Sequence, residues 1–256
     1  MPSPIPAIAR YTVMESMRNR LLLLCLLLAG TAFVLIEFIG ELTITEHRLT
    51  QVALLAAFLR ISAVLVVALF VVSGTVRELH DKTLEMILAM PVHRASYYLG
   101  KLAGYSVIAL LVCLIFAGLL LFYADTQALL VWAASLFLEL LLVVALALVM
   151  LFSFSQVPAA LAAVFVFYGA ARIVGTIFLI SQSPIIAHDS AAQKFMDGFI
   201  ELLTWLLPDL HRFTRSEWLA YNTADWSALL PLLGQTLVYL CLLAFIALFD
   251  FYRKNF

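Results

Sequence analysis

The chain has 256 residues, is 65% hydrophobic and only 12% charged, and carries a net charge of -1. With a mean hydropathy of +1.08, it lies far above the roughly 45–50% apolar content of a soluble domain, which excludes an ordinary globular fold and implies a polytopic membrane protein. The near-neutral charge, with no basic face alternating with aromatics, gives nucleic acid no reason to bind.

Residues 1–20 begin with Pro2, Pro4 and Pro6 and then set Ile8, Tyr11, Met14 and Met17 at helical spacing against Arg10, Glu15, Arg18 and Arg20. That pattern predicts a short interfacial helix. It is too polar and too long for the n-region of a cleaved signal peptide, and no small-residue cleavage site follows Leu21 to Leu28. The first apolar segment, 21–40, is long enough to span, since about 20 residues at ~1.5 Å each cross a ~30 Å core. Glu37 and Glu41 mark its far end. The link 42–51 is too short for a folded domain, and the second segment, 53–76, carries Arg60 about a third of the way in.

The stretch 77–101 is a long charged run between two strongly apolar segments. Leu84, Ile87 and Leu88 recur at i, i+3, i+4 and put one apolar stripe on a short helix, with Asp81, Lys82 and Glu85 turned away. Pro91 ends that helix, and His93 or Ser96 caps the next, which runs through Tyr97, Tyr98 and Gly100. The unit is helix, corner, helix at a membrane surface.

The third segment, 102–123, follows the GxxxG spacing of Gly100 and Gly104, which lets a neighbouring backbone approach. After a turn at Asp125 and Thr126, the fourth segment, 129–154, carries Glu139. The break 153–158 is tight, and the fifth segment, 158–180, has small residues Ala159, Ala163 and Gly169 suited to close packing, together with Arg172. In the polar region 181–228, Met196, Phe199, Ile200, Leu203, Leu206 and Leu207 form one stripe of an outer amphipathic helix, interfacial or re-entrant, ended by Pro208. Trp205, Trp218, Tyr221 and Trp226 fit an aromatic belt. The last segment runs 229–251.

The expected fold is therefore all-α: an interfacial helix over 1–20, then one transmembrane domain over 21–256 with about six spanning helices, a charged helix–corner–helix segment at 77–101 and an outer segment at 181–228. If the N-terminus is inside, Arg10, Arg18, Arg20, Arg77, Lys82, Arg94, Lys101, Arg253 and Lys254 are inside and Arg48, Lys194, Arg212 and Arg215 outside. Nine against four supports cytoplasmic termini and a cytoplasmic 77–101.

Charges inside apolar segments cost about 2.5–3.5 kcal/mol each on insertion scales and so pair or face a cavity. Glu139 lies about ten residues in from the outer end of its segment and Arg172 about eight, depths of about 15 and 12 Å. The depths predict a Glu139–Arg172 ion pair, with Arg60 as competing partner. A substrate path or gate and a structural clasp both remain open as readings of it.

The order Arg77-Glu78, Thr83-Leu84-Glu85, Met90-Pro91-Val92-His93-Arg94 and Gly100-Lys101 resembles the cytoplasmic coupling-helix segment of ABC transporter permeases of the type-2 exporter family. Lys82 stands where that family often has Gly before Thr-Leu-Glu. The resemblance implies a permease whose coupling residues are Glu78, Asp81, Thr83, Leu84, Glu85, Ile87, Leu88, Pro91 and Arg94, with Glu85 and Arg94 in polar contact with a cytoplasmic ABC ATPase subunit. It also implies a second permease copy alongside, a multi-pass place in the cell membrane amid lipid, and export.

No GxxxxGK[ST] phosphate cradle is present, so ATP and Mg are expected in the partner ATPase, with no cofactor bound by this chain and no catalysis by it. HExxH and GxSxG are absent, the five histidines are scattered, and Cys25, Cys113 and Cys241 lie singly in apolar runs, so no metal site or hydrolase centre is expected. The alternative, a stand-alone secondary carrier or intramembrane enzyme, calls for a polar catalytic cluster or paired broken helices at the midplane, where the sequence has only isolated charges.

Overall fold

The computed structural model describes residues 4–18, 20–42, 47–80, 93–154, 156–182, 198, 200–204 and 206–253. Its helices are α1 (Ile5–Arg18), α2 (Leu21–Leu42), α3 (His47–His80), α4 (Arg94–Leu120), α5 (Thr126–Phe154), α6 (Val157–Gln182), α7 (Ser216–Ala220) and α8 (Leu229–Arg253). Single 3-10 turns occupy Leu210–Arg212 and Trp226–Ala228. The fold is all-α, with no strand among the described residues.

Every apolar segment of the sequence is a helix. α3, α4, α5, α6 and the 226–253 stretch are each long and apolar enough to cross a membrane, and α1 with α2, meeting at a bend of 56°, adds a sixth candidate span. Arg20, at that bend, has φ 59°.

α5 is the central post. It is apolar all round, as a buried helix must be, and 83% of its span is covered by the rest of the protein, against 22% for α6 and for α8. α8, α4, α3 and α6 pack around it. On α6 the covered face is Ala160, Val164, Ala171 and Val174. The small residues expected to pack do not form that face: Ala159 and Ala163 are half-buried, and a side chain at Gly169 would meet nothing within 4 Å.

α1 is more than an interfacial helix, because it docks on the first turns of α4. A Cβ at Gly100 would lie 2.7 Å from Ile8 Cβ, and one at Gly104 2.7 Å from Thr12 Cβ and 3.0 Å from the Ala9 carbonyl oxygen. The two glycines form the groove that admits α1, which is the physical use of GxxxG. Thr12 and Ser16 are buried there and return their hydroxyls to carbonyls one turn back, 3.0 and 2.8 Å away.

The bundle has two ends. The α1 end holds the close of α3, the start of α4, the α5–α6 turn and the close of α8. At the opposite end lie the α2–α3 link, the 121–125 turn and the region between α6 and α8. There Tyr123 donates to Glu37 at 2.5 Å and Gln51 to the Ile36 carbonyl at 3.3 Å. Of the expected aromatic belt, Tyr221 and Trp226 are exposed, but Trp218 is 8% exposed, because α7 tucks against α3 and α5. Met196, Phe199 and Trp205 lie outside the described residues.

Candidate functional site

At the α1 end, three helices put polar side chains into one buried cluster. The last turns of α3 supply Thr75 and Glu78, and α4 supplies Tyr97, Lys101 and Tyr105, which share a face at i, i+4, i+8. Lys101 Nζ is ion-paired with Glu78 Oε1, the two side chains being 1% and 3% exposed. The Tyr97 hydroxyl donates to Glu78 Oε2 at 2.8 Å. The Lys101 ammonium also sits 5.9 Å from the ring centres of Tyr11 and Tyr97 and 5.6 Å from that of Tyr105, within the ~6 Å reach of cation–π attraction.

A buried charge tolerates its surroundings only when it is paired and hydrogen-bonded. Here one cation and one carboxylate satisfy each other across the α3–α4 joint. Glu15 of α1 lies beside them. Burial pushes its carboxyl above the ordinary value of 4.5, hydrogen bonding to Glu78 and the Glu78 charge push the same way, and Lys101 and Arg77 oppose.

Arg94, the first residue of α4, is tied to the end of α8. Its Nη1 donates to the Phe251 carbonyl at 2.7 Å and the Tyr252 carbonyl at 3.4 Å, and the guanidinium lies 5.7 and 5.9 Å from their ring centres. A cation on the last carbonyls of a helix complements its dipole. The Phe251 ring packs on Tyr97 at 5.8 Å and Phe152 at 4.8 Å, and Ser153 donates to Asp250 at 2.8 Å. α4, α5 and α8 are thus joined where α4 begins. His93 takes the N-cap position of α4, and its side chain makes no cap hydrogen bond.

Of the expected coupling residues, Asp81, Thr83, Leu84, Glu85, Ile87, Leu88 and Pro91 lie outside the described residues. Glu78 and Arg94 are described, and both are engaged internally. At 3% exposure, Glu78 lies inside the α3–α4 joint. Its partners Lys101 and Tyr97 carry as much of that joint as Glu78 does.

Toward the opposite end, the structure brings Glu139 and Arg172 together. Arg172 Nη1 is 3.3 Å from Glu139 Oε1, and Glu139 is fully buried. The pair is part of a larger knot. The Tyr168 hydroxyl donates to Glu139 Oε1 at 2.7 Å, the Thr214 hydroxyl bonds Glu139 Oε2, and Arg172 Nη1 also reaches the carbonyls of Leu210 at 2.6 Å and Phe213 at 3.2 Å. Arg60 Nη1 donates to the Thr214 carbonyl at 3.1 Å.

Thr214 is the keystone. Its backbone N–H donates to Ser135 Oγ at 2.9 Å, and its φ of 43° is left-handed, a conformation that a β-branched residue holds only where the surroundings over-determine it, at about 1–3 kcal/mol. Chain from between α6 and α8 thus dips into the bundle and is held by side chains of α3, α5 and α6. Leu207, Leu210, Phe213 and Thr214 are buried on the way.

The comparisons agree with this architecture. A family model described as ABC-2 family transporter protein matches residues 21–249, which takes in α2 through nearly all of α8. No match is found among curated proteins. Up to six candidate spans, α5 central among them, and a match over most of the chain lead to one conclusion: this chain belongs to the ABC-2 family of transporter proteins, as a multi-pass transmembrane permease of an ABC transporter.

Proposed function

We propose that the chain is the membrane subunit of an exporter in the cell membrane, driven by a separate cytoplasmic ATPase and working as a pair of copies. The observation that carries this reading is the family match over residues 21–249, joined to the clasp of Glu78, Lys101 and Tyr97 that ties together the two helices flanking the 81–92 stretch. The excess of basic residues at the α1 end supports a cytoplasmic location for that end and for both termini.

On this reading Leu84, Ile87 and Leu88 pack into a groove on the ATPase, Asp81, Thr83 and Glu85 make polar contacts with it, and Pro91 sets the corner. Arg94 holds that corner to α8. ATP and Mg belong to the ATPase, and this chain hydrolyses nothing. Closure of the ATPase pair draws the coupling segments together, and α3 and α4 carry the movement inward because their joint is buried and bonded. The transmembrane halves then shift between inward-open and outward-open states, the free energy coming from the ATPase's preference for the closed form. Lipid and the second copy cover the exposed apolar faces of α2, α6 and α8.

The test is coupled ATP hydrolysis in vesicles holding this chain with the ATPase that purifies with it. Glu85→Ala and Arg94→Ala are expected to insert normally and to lower coupled turnover. Wild-type turnover in both variants contradicts the assignment.

A further inference from the structure

Beside the Thr214 knot is a cavity of about 280 Å³ lined by Arg60, Arg172, His211, Arg215, Ser216 and Glu217. It adjoins a larger one of about 670 Å³, with which it shares His211 and Arg215 and which reaches Gly175 of α6 and Tyr239 of α8. Three arginines against one glutamate leave the smaller cavity's lining with an excess of two formal positive charges, reduced to one by Glu139 behind Arg172.

The cavity opens to the surface, with His211, Arg215 and Glu217 exposed, and its donors are not all used. Arg60 Nε is buried with no hydrogen-bond partner. Arg215 is exposed and has no side-chain partner among the described residues, whereas the neighbouring Arg212 is paired with Asp209 at 2.7 Å. The guanidiniums of Arg60 and Arg172 are held by the carbonyls of Thr214, Leu210 and Phe213, so their remaining N–H groups are fixed in direction. Guanidinium N–H pairs match the oxygen spacing of phosphate and carboxylate.

We infer that this cavity is a binding site for an oxyanion, of the phosphate or carboxylate class, toward the end of the bundle opposite α1. Arg60 and Arg172 form its floor, and Arg215 and His211 its rim. The oxyanion is either a free anion or the headgroup of an acidic lipid, whose tail would leave through the larger cavity between α6 and α8. The inference does not depend on the ATPase-driven reading, and its experiment contains no ATPase, so either can fail alone.

The test is thermal unfolding of the purified full chain in a neutral detergent, followed by tryptophan emission, with inorganic phosphate titrated against chloride at constant ionic strength. A parallel titration uses dihexanoyl phosphatidylglycerol against dihexanoyl phosphatidylcholine. Saturable stabilisation is expected in at least one titration: with phosphate, the ligand is a free oxyanion; with phosphatidylglycerol alone, it is an acidic headgroup. Arg60 and Arg172 hold backbone and their loss disturbs the fold, so the diagnostic variant is Arg215→Gln. It is expected to leave the ligand-free midpoint unchanged and to raise the half-saturating ligand concentration about tenfold, equivalent to about 1.4 kcal/mol. Arg253→Gln, at the α1 end, should respond as wild type. No saturable stabilisation by either probe, or an Arg215→Gln response equal to wild type, overturns the inference.

Discussion

Glu139 accepts from Tyr168, Arg172 and Thr214 together, so removing one donor does not strand it. Arg172→Leu is therefore expected to destabilise the detergent-solubilised chain near the low end of the ~3–5 kcal/mol for breaking a buried pair. Adding Glu139→Gln should recover part of the loss, because an uncharged amide accepts from one of the two hydroxyls and donates to the oxygen of the other. A double-mutant cycle reads the coupling directly, and zero interaction energy contradicts the pairing. Lys101 and Glu78 have fewer alternatives. Lys101→Met is expected to lower folded yield severely, and Lys101→Met with Glu78→Gln to restore it in size-exclusion profiles. Depth from the segment ends made Glu139 and Arg172 legible in the sequence. Lys101 and Glu78 obey the same rule, and applying it one turn further toward the α1 end pairs them as well. Thr214, Ser135 and Tyr168 were not legible: a chain that dips into the bundle from a distant irregular segment leaves no periodic trace, and Thr214 has no propensity for the left-handed backbone it adopts.

α1 shows how an element's role depends on its groove. Its amphipathic spacing reads equally as a helix resting on lipid, and only Gly100 and Gly104 reveal that α4 leaves room for it. Gly104→Val is expected to displace α1, since the new side chain meets Thr12 Cβ and the Ala9 carbonyl at 3.0 Å or less; faster hydrogen exchange across Ile5–Arg18, with α5 unchanged, is the readout. Glu15 adds a pH dependence. Its carboxyl is raised in the folded chain, first by burial, so docking of α1 is favoured below the ordinary value of 4.5 and weakens as pH rises through the elevated value. Glu15→Gln should flatten that dependence in the same exchange experiment, and an unchanged slope assigns it to another group. α5 was legible in outline as an apolar run, but its place at the centre was not, because continuous apolarity looks the same in a helix facing lipid and a helix facing protein.

For the whole molecule, composition alone shows a helical membrane protein, and the six apolar segments recur as helices, α3 and α4 beginning well before their expected starts at 53 and 102 and the rest lying within three residues of theirs. Transport by an ABC permease is a property of the family to which the chain belongs. The proposed ATPase partner rests on the coupling stretch, whose two flanks are clasped by Glu78–Lys101 and by Arg94 on α8, and the proposed direction of transport on the family resemblance alone. The most direct measurement is co-purification of the detergent-solubilised chain with cytoplasmic proteins of its own cell, followed by assay of ATP hydrolysis in the eluate. The account predicts a stoichiometric ATPase that is lost when Leu84 and Leu88 are both changed to Asp, while the variant still folds and inserts. A chain recovered alone and inert with nucleotide present, or an ATPase retained by the Leu84→Asp, Leu88→Asp variant, contradicts it.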